Sequence, residues 1–228
     1  MMLVLEVCCG SLQSAMNAVA GGAERIELCS ALEVDGLTPS MEVLRALHQQ
    51  FPSLKIHVLI RCREGNFVYD EEEVCRMLSD IERAKEAGAT GIVCGALTAE
   101  REIDVEVTRR MVEAARPLPF TFHRAFDAVK NQYKALETLK ELGVERVLTS
   151  GGAATAEKGI PMLRQLVEQA HGEVIILAGG GVDSSNAQRI IMETGTTEIH
   201  GSCSVKLLNG ERLTCTEEVR AVLRSIAV

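Results

Sequence analysis

The chain has 228 residues, of which 46% are hydrophobic, and this is enough for one large domain with an aliphatic core. Its net charge of −8 argues against nucleic acid or an anionic membrane surface as a partner. No apolar run is long enough to span a bilayer, and the N-terminus reads as a strand, so we expect no signal peptide.

Eight β-type runs recur along the chain, and most end in polar, Gly or Cys residues. They lie at 3–10, 25–30, 55–62, 90–97, 119–126, 146–152, 173–181 and 198–204. Helical patterns follow them at about 11–20, 40–50, 71–87, 104–116, 131–142, 158–170, 184–194 and 214–226. The residues that suit helix N-caps are Ser11, Asp70, Asp104 and Ser184. This repeat predicts a single α/β domain over residues 1–228, folded as a (β/α)8 TIM barrel with its site at the C-terminal strand ends.

A doubly wound open sheet is the alternative architecture. Such a sheet usually carries a glycine-rich dinucleotide-binding turn, GxGxxG, after its first strand. The corresponding turn here is Cys9-Gly10-Ser11. The barrel is therefore the preferred prediction.

Strand alternation separates the residues that point into the barrel from those that pack under the helices. The apolar residues of each strand, such as Val7 and Ile26, alternate with the polar ones and should face the helices. The opposite parity places these side chains inside or at the rim: Glu6, Cys8, Glu27, Cys29, Arg61, His123, Arg124 and His200. Buried carboxylates need charge partners, and we expect Arg61 and Arg124 to supply them.

This inward polar set has two interpretations. It can be a structural ion-pair network that closes the barrel. It can also be a catalytic site, in which Glu6 or Glu27 is the general base, His123 or His200 is the acid and Arg61 holds an anionic group. The concentration of these residues at strand ends favours a site.

Two glycine-rich loops offer binding positions for a small anionic ligand, such as a phosphorylated one. The ligand-binding candidates are Ser150, Gly151, Gly179 and Gly180, with Arg124 nearby. Backbone N–H groups in such loops can approach an anion, and barrels often bind phosphate near strands seven and eight. The glycines can equally be needed for tight turns. The polar loop at 61–70, which carries Phe67 and Tyr69, is either a lid or an ordinary exposed loop.

The eight cysteines should be reduced thiols, because no export signal accompanies them. No CxxC or HxxxH spacing marks a preformed zinc site, so any metal site must combine different strands. Cys8 and Cys29 fall on the inward parity of adjacent strands, and two thiolates suit the soft ion Cu(I). The alternative is that both are small buried hydrophobic residues.

Segments throughout the chain resemble the CutC copper homeostasis family, in the same order. They are EVCCGS (6–11), GGAERIELC (21–29), GLTPS (36–40), PFTFHRAFD (119–127), ERVLTSGG (145–152), AGGGV (178–182) and EIHGSCS (198–204). The resemblance implies a cytoplasmic (β/α)8 barrel with a role in copper binding and copper homeostasis, and it suggests a homo-oligomer. It brings no agreed reaction. In the loop at 61–67 the chain reads RCREGNF, where the family typically has RPRGGDF.

Three classes of function follow from these patterns and from the resemblance. The preferred one is a copper homeostasis protein that binds Cu(I), with the copper ion as its partner. The second is an enzyme that acts on a small anionic molecule. The third is a scaffolding protein, which the polar interior disfavours.

Overall fold

Eight parallel strands close into a barrel in which β1 pairs with both β2 and β8. The computed structural model describes residues 3–207, 210 and 212–227. The barrel strands are β1 (Val4–Cys9), β2 (Arg25–Leu28), β3 (Lys55–Leu59), β4 (Gly91–Cys94), β5 (Phe120–Phe122), β6 (Arg146–Thr149), β7 (Ile175–Gly179) and β8 (Glu198–Gly201). The predicted TIM barrel is confirmed.

Helices follow the strands and cover the outside of the barrel. They are α1 (Leu12–Gly21), α2 (Met41–Gln50), α3 (Glu71–Glu86), α4 (Val105–Ala115), α5 (Gln132–Glu141), α6 (Ile160–Ala170), α7 (Ala187–Thr194) and α8 (Thr216–Ile226). None of the described helices has the length and apolar character needed to cross a membrane.

The helix starts agree with the sequence at three of four predicted caps. The side chains of Ser11, Asp70 and Asp104 each accept a hydrogen bond from a backbone N–H in the first turn of the helix that follows. The prediction for Ser184 was wrong, because α7 begins after Asn186. Ser184 instead donates to the carboxylate of Glu218 in α8, through its backbone N–H at 2.8 Å and its hydroxyl at 3.1 Å.

Apolar side chains divide into two clusters, as strand alternation predicts. The larger cluster lies between the barrel and its helices and contains Val7 and Ile26, both fully buried. The smaller one lies inside the barrel and consists of Cys8, Cys29, Leu59 and Val93, with Leu32 against it. Because the inner cluster is small, most of the remaining interior is available to polar side chains.

A two-stranded antiparallel hairpin, β9 (Ser204–Lys206) and β10 (Arg212–Thr214), lies between β8 and α8. The sequence pattern did not predict it, because the strands are only three residues each. The hairpin brings Arg212 to the cavity at the C-terminal end of the barrel.

Candidate functional site

A cavity of about 510 Å³ opens at the C-terminal ends of the strands. Seven of the residues predicted for a site line it: Cys8, Glu27, Arg61, His123, Arg124, Gly180 and His200. The predicted end of the barrel therefore carries a cavity of small-molecule size. The sequence did not single out Asp35 or Arg212, which also line it.

The ends of β1 and β2 place two thiols and a carboxylate together. The Sγ atoms of Cys8 and Cys29 are 3.8 Å apart, and the Cys8 thiol donates to Oε2 of Glu27 at 3.2 Å. One ligand atom from each residue lies within 4.8 Å of the others, so the three residues could hold a metal ion. The hydrogen bond with Cys29, burial and the nearby Glu27 charge all raise the pKa of Cys8 well above its usual value.

His200 joins this group from β8, which pairs with the other side of β1. Its Nδ1 lies 3.0 Å from Oε1 of Glu6, and its Nε2 lies 3.7 Å from Oε2 of Glu27. Burial opposes protonation of the ring, but the Glu27 charge and the hydrogen bonds to Cys8 and Glu6 outweigh it and raise the pKa of His200 well above its usual value. For Glu27, burial makes ionisation less favourable and raises the pKa. The site thus places a protonated imidazole beside a buried carboxyl group.

A chain of buried ion pairs continues from Glu6 toward the N-terminal end of the barrel. We call it the ionic column, and it consists of Glu6, Arg25, His57, Glu198 and Arg146. Glu6 is fully buried, and its Oε2 lies 2.8 Å from Nε of Arg25 and 3.0 Å from Nδ1 of His57. Arg25 also pairs with Glu198, whose Oε2 lies 2.9 Å from Nε of Arg146. Although burial opposes ionisation of Glu6, hydrogen bonds from the two histidines and the Arg25 charge lower its pKa well below its usual value.

The expectation that Arg61 and Arg124 neutralise the buried carboxylates was wrong. Arg25 takes that role for Glu6, whereas His200 lies beside Glu27. Arg25 lies two residues before Glu27 in β2, so its side chain has the same inward parity. Strand alternation could therefore have identified it. Arg61 instead donates to backbone carbonyls of Val34, at 2.9 Å, and Gly36, at 3.1 Å.

His123 follows β5 and begins a 3-10 turn, Arg124–Ala128. Its Nδ1 accepts a hydrogen bond from the backbone N–H of Ala125 at 3.3 Å. Burial and the Arg61 charge lower the pKa of His123 to about 3. The ring is therefore neutral near pH 7 and carries its proton on Nε2.

The loop after β6 already binds a carboxylate of the protein itself. Asp127 accepts hydrogen bonds from the backbone N–H groups of Ser150 and Gly152, each at 3.0 Å. The N–H of Gly151 donates to the Thr149 hydroxyl at 2.9 Å. We predicted that N–H groups of this loop bind an anionic ligand. In the structure they donate to Asp127 and Thr149 instead. No pattern in the sequence marked Asp127.

The two glycines after β7 have different surroundings. A Cβ on Gly179 would lie 2.5 Å from Cδ1 of Leu148, so any side chain there would displace Leu148. Gly180 has a positive φ of 104° and faces the cavity, and a Cβ there would lie 3.5 Å from Cζ of Arg124. Arg124 itself donates to Ser150 Oγ at 3.0 Å and to Asp127 at 2.9 Å. Arg124 and Gly180 thus remain the loop positions open to a ligand.

Residues 3–205 match the profile of the CutC family. The chain belongs to the CutC family. A human relative named copper homeostasis protein cutC homolog (Homo sapiens) is 48% identical over 203 residues, which cover 89% of this chain and 73% of the human protein. A family protein CutC from Bacteroides thetaiotaomicron is also 48% identical, over 86% of this chain and 79% of that protein.

Solved structures agree with this assignment. The structure of a copper homeostasis protein CutC from Streptococcus agalactiae superposes with a TM-score of 0.84 at 35% identity, covering 88% of this chain and 99% of that one. Phosphoribosyl anthranilate isomerase from Thermotoga maritima reaches a TM-score of 0.64 at 14% identity, covering 99% of this chain and 98% of that one. The second likeness shows the barrel fold alone. The CutC family membership thus agrees with the resemblance found in the sequence.

Proposed function

We propose that this CutC protein acts in copper homeostasis in the cytoplasm by binding Cu(I) between Cys8 and Cys29. One observation carries the proposal: the two sulfur atoms lie 3.8 Å apart, and Cys8 lines an open cavity. Metal–thiolate bonds measure about 2.3 Å for zinc, and bonds of similar length from both sulfurs meet at one ion at this separation. Thiolates also suit Cu(I) better than harder ions.

The neighbouring charges fit a bound copper ion. Two thiolates with Cu(I) carry a net negative charge, and burying it requires a positive partner. His200 supplies that charge, since its pKa is raised and its Nε2 lies 3.7 Å from Glu27 beside the thiols. Glu27, which accepts from the Cys8 thiol and lines the cavity, can relay to solvent the proton that Cys8 releases when metal binds.

A double variant, Cys8→Ser with Cys29→Ser, tests the copper site. We expect it to lose one equivalent of tightly bound Cu(I), measured by anaerobic titration against a chromogenic Cu(I) chelator. The matched control is Cys75→Ser with Cys215→Ser, which removes the same number of thiols from positions that are not fully buried. If the first variant keeps its fold by circular dichroism and still binds the same number of Cu(I) equivalents, the assignment is wrong.

A second candidate function is an enzyme that acts on a small anionic molecule. The observation that favours it is the pairing of Glu27 and His200, both with raised pKa values, in a cavity that can hold a small molecule. In this proposal Glu27 is the general base and His200 the general acid, whereas neutral His123 donates a hydrogen bond.

Glu27→Gln tests this second function, because it keeps the shape of the side chain and removes its base. The wild-type protein and the variant would be screened for thermal shifts and turnover with small phosphate monoesters and carboxylates. We expect a compound that binds both proteins and is converted only by the wild type. The enzyme proposal fails if no compound in the panel is converted by the wild type.

A further inference from the structure

Two polar atoms at the cavity are buried without a hydrogen-bond partner in the described part of the chain. They are Nε of Arg61 and Nε2 of His123. The two residues are 4% and 5% exposed, and both line the cavity. A buried polar group without a partner carries a free-energy penalty, so native structures rarely keep one without a reason.

Both atoms are hydrogen-bond donors. The guanidinium group of Arg61 has only donors, and its two terminal nitrogens already bind the carbonyls of Val34, Gly36 and Gly65. The other ring nitrogen of His123 accepts from the backbone of Ala125, so the neutral ring carries its proton on Nε2. A molecule that satisfies both atoms must therefore present acceptor oxygens.

Phe67 covers this pair of donors. Its ring centroid lies 4.9 Å from that of His123 and 5.0 Å from Cζ of Arg61. Phe67 is only partly buried, and its neighbours Asn66 and Val68 in the loop are exposed. The loop therefore holds an aromatic ring over two donors, where its face attracts the Arg61 cation but supplies no oxygen acceptor.

The charges around the cavity favour an anion on this side. Arg61 and Arg124 line it, and Arg212 reaches it from the hairpin. Two acidic residues also line the cavity. Glu27 belongs to the thiol group, in contact with Cys8, and Asp35 lies between Val34 and Gly36, whose carbonyls bind Arg61. A negatively charged group near Arg61 would interact with a full positive charge in a partly desolvated setting.

We propose that Arg61, His123 and Arg124 form a subsite for the carboxylate or phosphate group of a small molecule, and that Phe67 moves aside when this group binds. Nε of Arg61 and Nε2 of His123 each donate to one oxygen of the anion. The rest of the ligand extends over Gly180 toward Glu27 and His200. This subsite goes beyond copper binding and rests on neither the metal nor turnover, although it would also anchor a substrate of the second candidate function.

Sodium acetate and inorganic phosphate are the probes, and acetamide is the neutral counterpart of acetate. In protein with ¹⁵N-labelled histidine, of which the chain has five, we expect the Hε2 resonance of His123 to shift downfield in a saturable way with an oxyanion. Acetamide should have little effect at the same ionic strength. The relative affinities for acetate and phosphate then identify which group the natural ligand carries.

Two variants separate the subsite from a general effect of salt. Phe67→Ala removes the ring that must be displaced, and it should tighten anion binding by roughly tenfold. Val68→Ala, in the same loop, is the matched control and should leave binding unchanged. His123→Phe keeps an aromatic ring but removes the donor, so it should weaken binding roughly tenfold or more, as expected for a hydrogen bond to a charged acceptor. Because this variant lacks the reporter resonance, its affinity is compared with that of the wild type by isothermal titration calorimetry.

The proposal is overturned if neither the wild type nor Phe67→Ala shows saturable binding, or if acetamide binds as well as acetate. Binding that His123→Phe leaves unchanged overturns it as well. The same titrations in the Cys8→Ser, Cys29→Ser variant separate this subsite from the copper site. Anion binding should persist there even though copper binding is lost.

Discussion

Replacing Arg25 by Met should lower the free energy of unfolding by about 3–5 kcal/mol, because it leaves two buried carboxylates without their shared cation. Arg25 is 4% exposed and pairs with both Glu6 and Glu198. A methionine side chain fills much of the space of Arg25 but cannot compensate the negative charges of Glu6 and Glu198. Urea unfolding followed by circular dichroism measures the loss.

The pH dependence of this loss distinguishes lost charge compensation from lost packing. Arg25 helps to hold the pKa values of Glu6 and Glu198 below their usual value, so its stabilisation is present above that value and disappears as the pH falls through the lowered pKa values. The difference between wild type and Arg25→Met should therefore shrink as the pH falls below about 4.5.

Arg110→Met is the matched control for Arg25→Met. Arg110 also donates to both carboxylate oxygens of a glutamate, Glu71, at 2.9 and 2.7 Å, but this pair lies on the surface. Solvent screens such a pair, so its removal should change the unfolding midpoint little. Equal losses in the two variants would contradict the role given to the ionic column.

Cu(I) affinity should rise at least about tenfold for each pH unit between about pH 6 and about pH 8, because Cys8 alone releases one proton on binding. The pKa of Cys8 lies well above its usual value, so the thiol is protonated throughout this range and must lose its proton to bind the metal. Each step up in pH makes that loss easier. Competition titrations with a Cu(I) chelator of known pH dependence would measure the slope.

The Cys8→Ser variant provides the comparison, since it cannot release a thiol proton at this position. Its residual Cu(I) binding should be weaker and should depend less on pH. A wild-type affinity that stays flat from about pH 6 to about pH 8 would contradict Cys8 as a ligand.

Much of the barrel was predictable, because successive residues of a β-strand point to opposite faces and differ in polarity accordingly. In β1 the apolar Val7 packs under the helices, whereas Glu6 and Cys8 point inward, as the sequence indicates. The same rule applied to the whole of β2 would have found Arg25. The contact of Cys8 with Cys29 also followed from parity, since the two residues end adjacent strands.

Other parts of the site depend on contacts that no local pattern encodes. The carboxylate of Asp127 reaches the N–H of Ser150, 23 residues later in the chain. Glycine spacing alone could not reveal that these N–H groups are already occupied. The short hairpin that carries Arg212 was missed because three-residue strands leave too little alternation to detect.

The ionic column also fixes how the barrel closes. It joins side chains from β1, β2, β3, β6 and β8, and in the observed register Glu6 lies opposite Arg25 on one side and His200 on the other. A slip of one residue in any of these strands would turn a charged or imidazole side chain outward into the aliphatic layer beneath the helices. Mispaired barrels are therefore penalised strongly, and the column selects one strand alignment among the many that the apolar residues alone would tolerate.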